Sequence, residues 1–267
     1  MGDREASRER LWPERLRDRL AGSVLEPNRI GHSGSEVYRA VSERGDAAYL
    51  KITPSTWDMT LKHERDALLW LNGRAAVPEL LEYETFGGRD YLLMTEVPGR
   101  DASRPESLAD PERLVRLYAE GLRTLHGLAI EDCPLDRTLR RKLEEAERRV
   151  REGKVDEDDL EDDHAGRTAG DILRQLLDTA PKQEELAFTH GDYCLPNVLI
   201  DGDRVSGFID VGRAGIADRY QDIALAIRSL RHNFGSDRYK DAFLANYGID
   251  VLDEDKVNYY ILLDELF

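Results

Sequence analysis

The sequence predicts an α+β fold of two lobes, a small antiparallel-sheet N-terminal lobe and a larger, mainly helical C-terminal lobe that carries one hairpin. Three observations lead there. Strand-like segments broken by Gly and Asp turns crowd the first third, helical apolar spacing dominates after Val97-Pro98-Gly99, and an Asp-Gly-Asp turn interrupts the helical half at Asp201 to Asp203. The expected division is residues 1–97 as the N-terminal lobe and 98–267 as the C-terminal lobe.

In chain order, Val24 to Ile30, Glu36 to Ser42, Ala47 to Ile52 and Tyr91 to Glu96 read as strands. Between the third and fourth, His63 to Asn72 carries apolar residues at helical spacing, with Gly73 as terminator. Helices are expected over Pro111 to Leu128, Arg137 to Glu152, Asp171 to Ala180 and Lys256 to Leu266. Val198 to Ile200 and Val205 to Ile209 are the strands of the hairpin.

The chain has 267 residues, enough for two lobes with a cleft between them, and its 54 acidic against 38 basic residues give a formal charge of −16. That charge repels phosphate backbones, so no nucleic-acid partner is expected, and it attracts polycations. No segment approaches the roughly 18 apolar residues of a membrane span, and Met1 to Arg10 has no signal-like apolar core. A cytoplasmic protein, monomeric or weakly homodimeric and without a membrane partner, is expected. Two cysteines, Cys133 and Cys194, build neither a disulfide framework nor a zinc site.

The stretch from Phe188 to Asp210, FTHGDYCLPNVLIDGDRVSGFID, is the most informative. Antiparallel strands return on themselves, so Asn197 before the first strand and Asp210 after the second are expected to face one another. An amide oxygen and a carboxylate are hard ligands suited to Mg²⁺ rather than zinc. Asp192, in the loop leading into the hairpin, is placed to take a proton from a hydroxyl and aim it at a phosphate. Each residue alone is weak evidence, since most Asp-Gly pairs only turn. Together, D-x4-N, hairpin, D is the phosphoryl-transfer layout of protein kinases.

In AAYLKI, Leu50 and Ile52 share one face while Tyr49 and Lys51 share the other. Lys51 can then meet ATP phosphates with Glu64 as its partner, and Tyr49 can stack on the adenine. Met94 to Val97, read as the link between lobes, would offer main-chain groups to the base. Ile30 to Val37, IGHSGSEV, is a candidate phosphate-covering loop.

These residues, with SGFIDVGRAGIADRYQDIALAIRS and the ending YYILLDELF, closely resemble the aminoglycoside 3′-phosphotransferases from about Gly31 to Phe267. The resemblance implies a protein-kinase-like bilobal fold, ATP and Mg²⁺ between the lobes, and transfer of the γ-phosphate to a 3′-hydroxyl of a kanamycin- or neomycin-type antibiotic. It implies Asp192 as the catalytic base, Asn197 and Asp210 as magnesium ligands, Lys51 and Glu64 as the phosphate-holding pair, and Ser33 near the β-phosphate. It further implies that Arg213 and Arg228 order acidic residues of the acceptor pocket. Asp218 and Asp222 are expected to brace the catalytic loop through its backbone.

Two acidic segments remain, DEDDLEDD at Asp156 to Asp163 and the ending DELF. Such runs are ordinarily solvated faces, but the second is embedded in an apolar helical pattern. The resemblance gathers Asp159, Glu161, Asp162, Asp264, Glu265 and the Phe267 carboxylate around the ammonium groups of the aminoglycoside. A kinase-fold enzyme for another small molecule and a nucleotide-binding pseudokinase stay open as alternatives.

Overall fold

The computed structural model describes residues 12–28, 35–56, 61–160 and 166–267, with the backbone alone at Asp159. The described residues divide into two compact units, one running up to Pro98 and including Gly207–Gly212, the other formed by Gly99–Ser206 with Arg213–Phe267.

The first unit is a five-stranded antiparallel sheet with helices. Its strands are β1 (Val24–Pro27), β2 (Glu36–Val41), β3 (Ala47–Pro54), β4 (Leu80–Phe86) and β5 (Arg89–Thr95), in the order β1-β2-β3-β5-β4. Alternation along β3 decides which side chains face where: Leu50 and Ile52 are fully buried, Tyr49 and Lys51 only partly so. The Leu50 face is covered by α1 (Glu14–Leu20), whose Leu16 and Leu20 join Leu50, Ile52, Tyr91 and Leu93 in one apolar cluster. On the Lys51 face α2 (Leu61–Leu71) packs against β3, β4 and β5. Neither α1 nor β4 is foreseen from the sequence. Met94, expected in a link after the sheet, is instead a buried residue inside β5, paired with Tyr49 of β3 and Leu80 of β4. The strand runs on to Thr95 because the apolar run 91–94 is buried.

The second unit is mainly helical: α3 (Pro105–Leu108), α4 (Pro111–His126), α5 (Leu139–Arg151), α6 (Ala169–Thr179), α7 (Tyr220–Phe234), α8 (Lys240–Tyr247) and α9 (Glu254–Asp264). Side-chain caps fix three starts: Asp110 accepts from Arg113 N, Thr168 from Asp171 N and Asp253 from Lys256 N. Helix α5 starts two residues later than expected because Arg137 N is already bonded to Ile216 O. Helix α9 packs on α7 and α6, and α4 on α8. Short strands β6 (Arg100–Asp101), β8 (Val198–Asp201) and β9 (Arg204–Phe208) form one small sheet, in which β8 and β9 are the expected hairpin. A second pair, β7 (Leu186–Thr189) with β10 (Gly215–Asp218), is antiparallel.

Candidate active site

In the first unit the structure brings together Lys51, Glu64 and Asp210. Lys51 Nζ donates to Glu64 Oε1 of α2 at 2.7 Å and to Asp210 Oδ1. Burial by itself would lower the Lys51 pKa, but the Asp210 and Glu64 carboxylates outweigh it and hold the ammonium above its ordinary value. Asp210 is the one described non-glycine residue with positive φ, 59°, a left-handed conformation that Asp tolerates better than most side chains. Tyr49 lies half-buried on the Lys51 face, its phenol pushed up by burial and by Glu96, which Arg39 holds at 2.7 Å and 3.1 Å. Val97 lies two residues beyond β5, outside any strand and partly exposed. Ser33 and the rest of 29–34 lie outside the described residues.

In the second unit the Asp192 loop is built from its surroundings inward. Strand β7 delivers His190-Gly191-Asp192, and its pairing with β10 sets Thr189 opposite Gly215, next to the turn holding Arg213. A side chain at Gly191, where φ is +82°, would lie 2.3 Å from Arg213 O, so only glycine fits. Buried Asp222 of α7 accepts from His190 N at 2.6 Å and Gly191 N at 2.8 Å, and its Oδ2 lies 3.1 Å from His126 Nε2. Burial opposes the charge on Asp222, but His126 and these amides hold its pKa below the ordinary carboxylate value. Gln221 Nε2 donates to Gly191 O at 3.0 Å, and Leu195 N donates to Ser229 Oγ at 2.9 Å. Asp218 does not brace this loop as expected; it accepts from Tyr220 N at 3.1 Å and pairs with Lys256 at 3.0 Å.

The result is a half-buried Asp192 whose backbone is fastened on several sides. Asn197 Nδ2 donates to Asp192 O at 2.9 Å and to Asp192 Oδ2 at 3.0 Å. With the amide nitrogen committed, Oδ1 is the Asn197 atom left to accept. It and, in the other unit, the Asp210 carboxylate are each hard oxygen donors of the kind Mg²⁺ takes. Among the described residues no three His, Cys, Asp or Glu side chains gather as a metal cage.

A third cluster surrounds the ending of the chain. Asp264 Oδ1 accepts from Arg213 Nη1 at 3.0 Å and Oδ2 from Arg228 Nη2 at 2.5 Å. Burial would raise the Asp264 pKa; the two guanidiniums reverse the sign and hold it below the ordinary value. Burial, followed by Arg213, pushes Lys142 of α5 down to about 8. Leu266 is fully buried, Phe267 and Glu265 partly. Asp159 ends a short turn, Glu157–Asp159, with its side chain not described, and Glu161 and Asp162 lie outside the described residues. Glu157, though exposed, accepts from Ala169 N at 2.7 Å, so part of the acidic run meets the start of α6. His126, Gln221, Ser229, Lys142 and Arg149 were not foreseen from sequence. Apart from Lys154 beside Arg149, the partners named for them lie 30 or more residues away, so no local spacing marks them.

Comparison with known proteins identifies the family. Residues 24–260 match the family model described as the phosphotransferase enzyme family. An aminoglycoside 3′-phosphotransferase from Niallia circulans is 52% identical over 258 residues, covering 97% of this chain and 98% of the relative. The crystal structure of an aminoglycoside 3′-phosphotransferase of type VIII superposes with a TM-score of 0.86 at 36% identity, covering 95% of this chain and 97% of that one. The aminoglycoside phosphotransferase APH(3″)-Id of Streptomyces rimosus, in complex with ADP and streptomycin, gives a TM-score of 0.81 at 31% identity over 100% of this chain and 99% of that one. No described helix is long and apolar enough to cross a membrane. With its kinase-like α+β fold, the chain belongs to the phosphotransferase enzyme family, in its aminoglycoside 3′-phosphotransferase group, and is an ATP-dependent phosphotransferase.

Proposed function

We propose that this enzyme transfers the γ-phosphate of ATP to the 3′-hydroxyl of kanamycin- and neomycin-type aminoglycosides and so confers resistance to them. The observation that carries the reading is Asp192, fixed by the Asn197 amide on a loop whose backbone Asp222 holds. A carboxylate immobilised in this way orients a hydroxyl before reaction and accepts its proton as the oxygen attacks phosphorus. The new bond joins the sugar oxygen to the γ-phosphorus, the bond from that phosphorus to the bridging oxygen breaks, and ADP departs. No covalent enzyme intermediate is needed.

In this reading Lys51, fixed by Glu64, holds the ATP phosphates, Ser33 lies by the β-phosphate, Tyr49 stacks on adenine, and main-chain groups of Met94 to Val97 meet the base. Asn197 and Asp210 hold Mg²⁺, which when bound neutralises phosphate charge. Asp264 is a keystone paired to Arg213 and Arg228, so the direct contacts to ammonium groups fall to Glu265, Phe267 and the Asp159, Glu161 and Asp162 segment. The proposed groups all come from one chain, so a monomer or weak homodimer working in the ATP-supplied cytoplasm suffices.

The 52% identical relative supports the 3′ position, while a 31% identical neighbour that holds streptomycin carries a 3″ designation. The test is ADP release with kanamycin and neomycin beside aminoglycosides lacking a 3′-hydroxyl. Stimulation only by the former is expected; equal stimulation by both overturns the 3′ assignment. Asp192→Ala should lower turnover by about 10² to 10⁴-fold at unchanged folding. Wild-type turnover in that variant removes Asp192 from the mechanism.

A further inference from the structure

Helix α5 lies outside the Asp192 loop and the Lys51 group, yet it presents two cations toward the last residues of the chain. Lys142 and Arg149 are seven residues apart, two turns, and so stand on one face of the helix. Both lie 5.7 Å from the centroid of the Phe267 ring. Arg149 does more than touch the ring. Its Nε donates to Leu266 O at 2.7 Å, and its Nη2 donates to Phe267 O and Lys154 O, each at 3.2 Å.

We propose that Arg149 is a positioning residue for acceptor recognition, a clamp that sets the place of Glu265 to Phe267 through the main-chain oxygens of Leu266 and Phe267. The inference rests on the reading above, in which this ending meets the ammonium groups of the acceptor. Helix α9 stops at Asp264, which the Arg213 and Arg228 guanidiniums already hold. The residues beyond it continue only as a turn, with Leu266 N bonded to Leu263 O at 3.3 Å and Phe267 N to Asp264 O at 3.0 Å. The apolar anchor of that turn is Leu266, and its buried carbonyl is expensive to leave unpaired.

Arg149 satisfies that carbonyl and the next one from a single rigid fork, and ties both to Lys154 at the exit of its own helix. Three oxygens in three directions suit a planar guanidinium with five donors. An ammonium at the end of a flexible stem cannot meet all three from the same place. Loss of the fork therefore releases the ending, while Lys51 keeps Glu64 and Asp192 keeps Asn197 as partners.

The test compares Arg149→Met, Arg149→Lys and a variant lacking Leu266 and Phe267, using kanamycin as acceptor, and adds Arg149→Met to the shortened chain. Expected for Arg149→Met is a rise of about tenfold in the kanamycin KM, the loss of a charged hydrogen bond, with kcat and the ATP KM within about twofold. Arg149→Lys should recover only part of the loss, and Arg149→Met should add nothing once Leu266 and Phe267 are gone. A shortened chain with a raised kanamycin KM, beside an Arg149→Met enzyme with a normal one, overturns the clamp while leaving the acceptor reading intact. Equal damage to both KM values and kcat in Arg149→Met, or in Arg149→Lys where the Met variant does not fold, also overturns it. A shortened chain with an unaltered kanamycin KM overturns both the clamp and the acceptor reading.

Discussion

Lys142, on α5, sets its own charge against the stability of the fold. Its ammonium is partly buried on α5, faced by Arg213 and Arg137 as well as by the Asp264 and Asp222 carboxylates, and the balance lowers its pKa to about 8. A lysine depressed from its ordinary value near 10.4 binds its proton more weakly folded than unfolded, so it costs stability wherever both states are protonated. That cost is fully present below about pH 8 and fades as pH rises toward the unfolded value. Lys142→Met, which keeps the stem and removes the charge, should accordingly raise the melting temperature at pH 7 and change it much less at pH 10. A melting temperature lowered equally at both values would show that Lys142 is a stabilising partner instead. Asp264 has the opposite sign: held low by two arginines, its contribution is present at neutral pH and is lost as acid protonates it.

At the scale of elements, legibility followed local pattern. β3 alternates cleanly, β8 and β9 flank an Asp-Gly turn, and α4 and α5 carry one-sided apolar stripes, so each was visible in sequence. β4 was not, because a register irregularity between Leu80 and Glu82 breaks the two-residue period that would mark it. α7 is buried nearly all round from Tyr220 to Leu230, which erases the contrast between faces on which a helical reading depends. α1 is only seven residues long and acts through two leucines. Those two matter nonetheless, since Leu16 and Leu20 close the face of the sheet opposite Lys51. Leu16→Ala should cost about 2–5 kcal/mol, read as a lower urea midpoint, because Leu16 is fully buried in that cluster and its truncation leaves a cavity there. An unchanged midpoint would mean that α1 rests on the sheet without stabilising it.

For the whole molecule, the formal charge of −16 acts on its two proposed substrates with opposite sign. A polycationic aminoglycoside is drawn toward the protein and ATP is repelled, and both effects are screened over about 10 Å at 0.1 M salt and about 3 Å at 1 M. The kanamycin KM should therefore rise severalfold between about 0.01 M and about 1 M salt, while the ATP KM stays level or falls. Parallel increases in both would trace the effect to enzyme stability rather than to charge attraction.

The order of chemical groups along the chain was determined by sequence alone: a lysine in a strand, a glutamate on the next helix, an aspartate ahead of a hairpin, an asparagine and an aspartate at its two ends. Such spacing is one-dimensional, and hydrogen-bonded strands and turns turn it into position with little freedom. Only the tertiary structure decided what holds Asp192 still and what holds the chain's ending, because Asp222, Gln221, His126 and Arg149 reach their partners across long separations. It also decided that Asp264 is spent on two arginines, since a carboxylate in a sequence shows its charge but not the cations that folding brings against it.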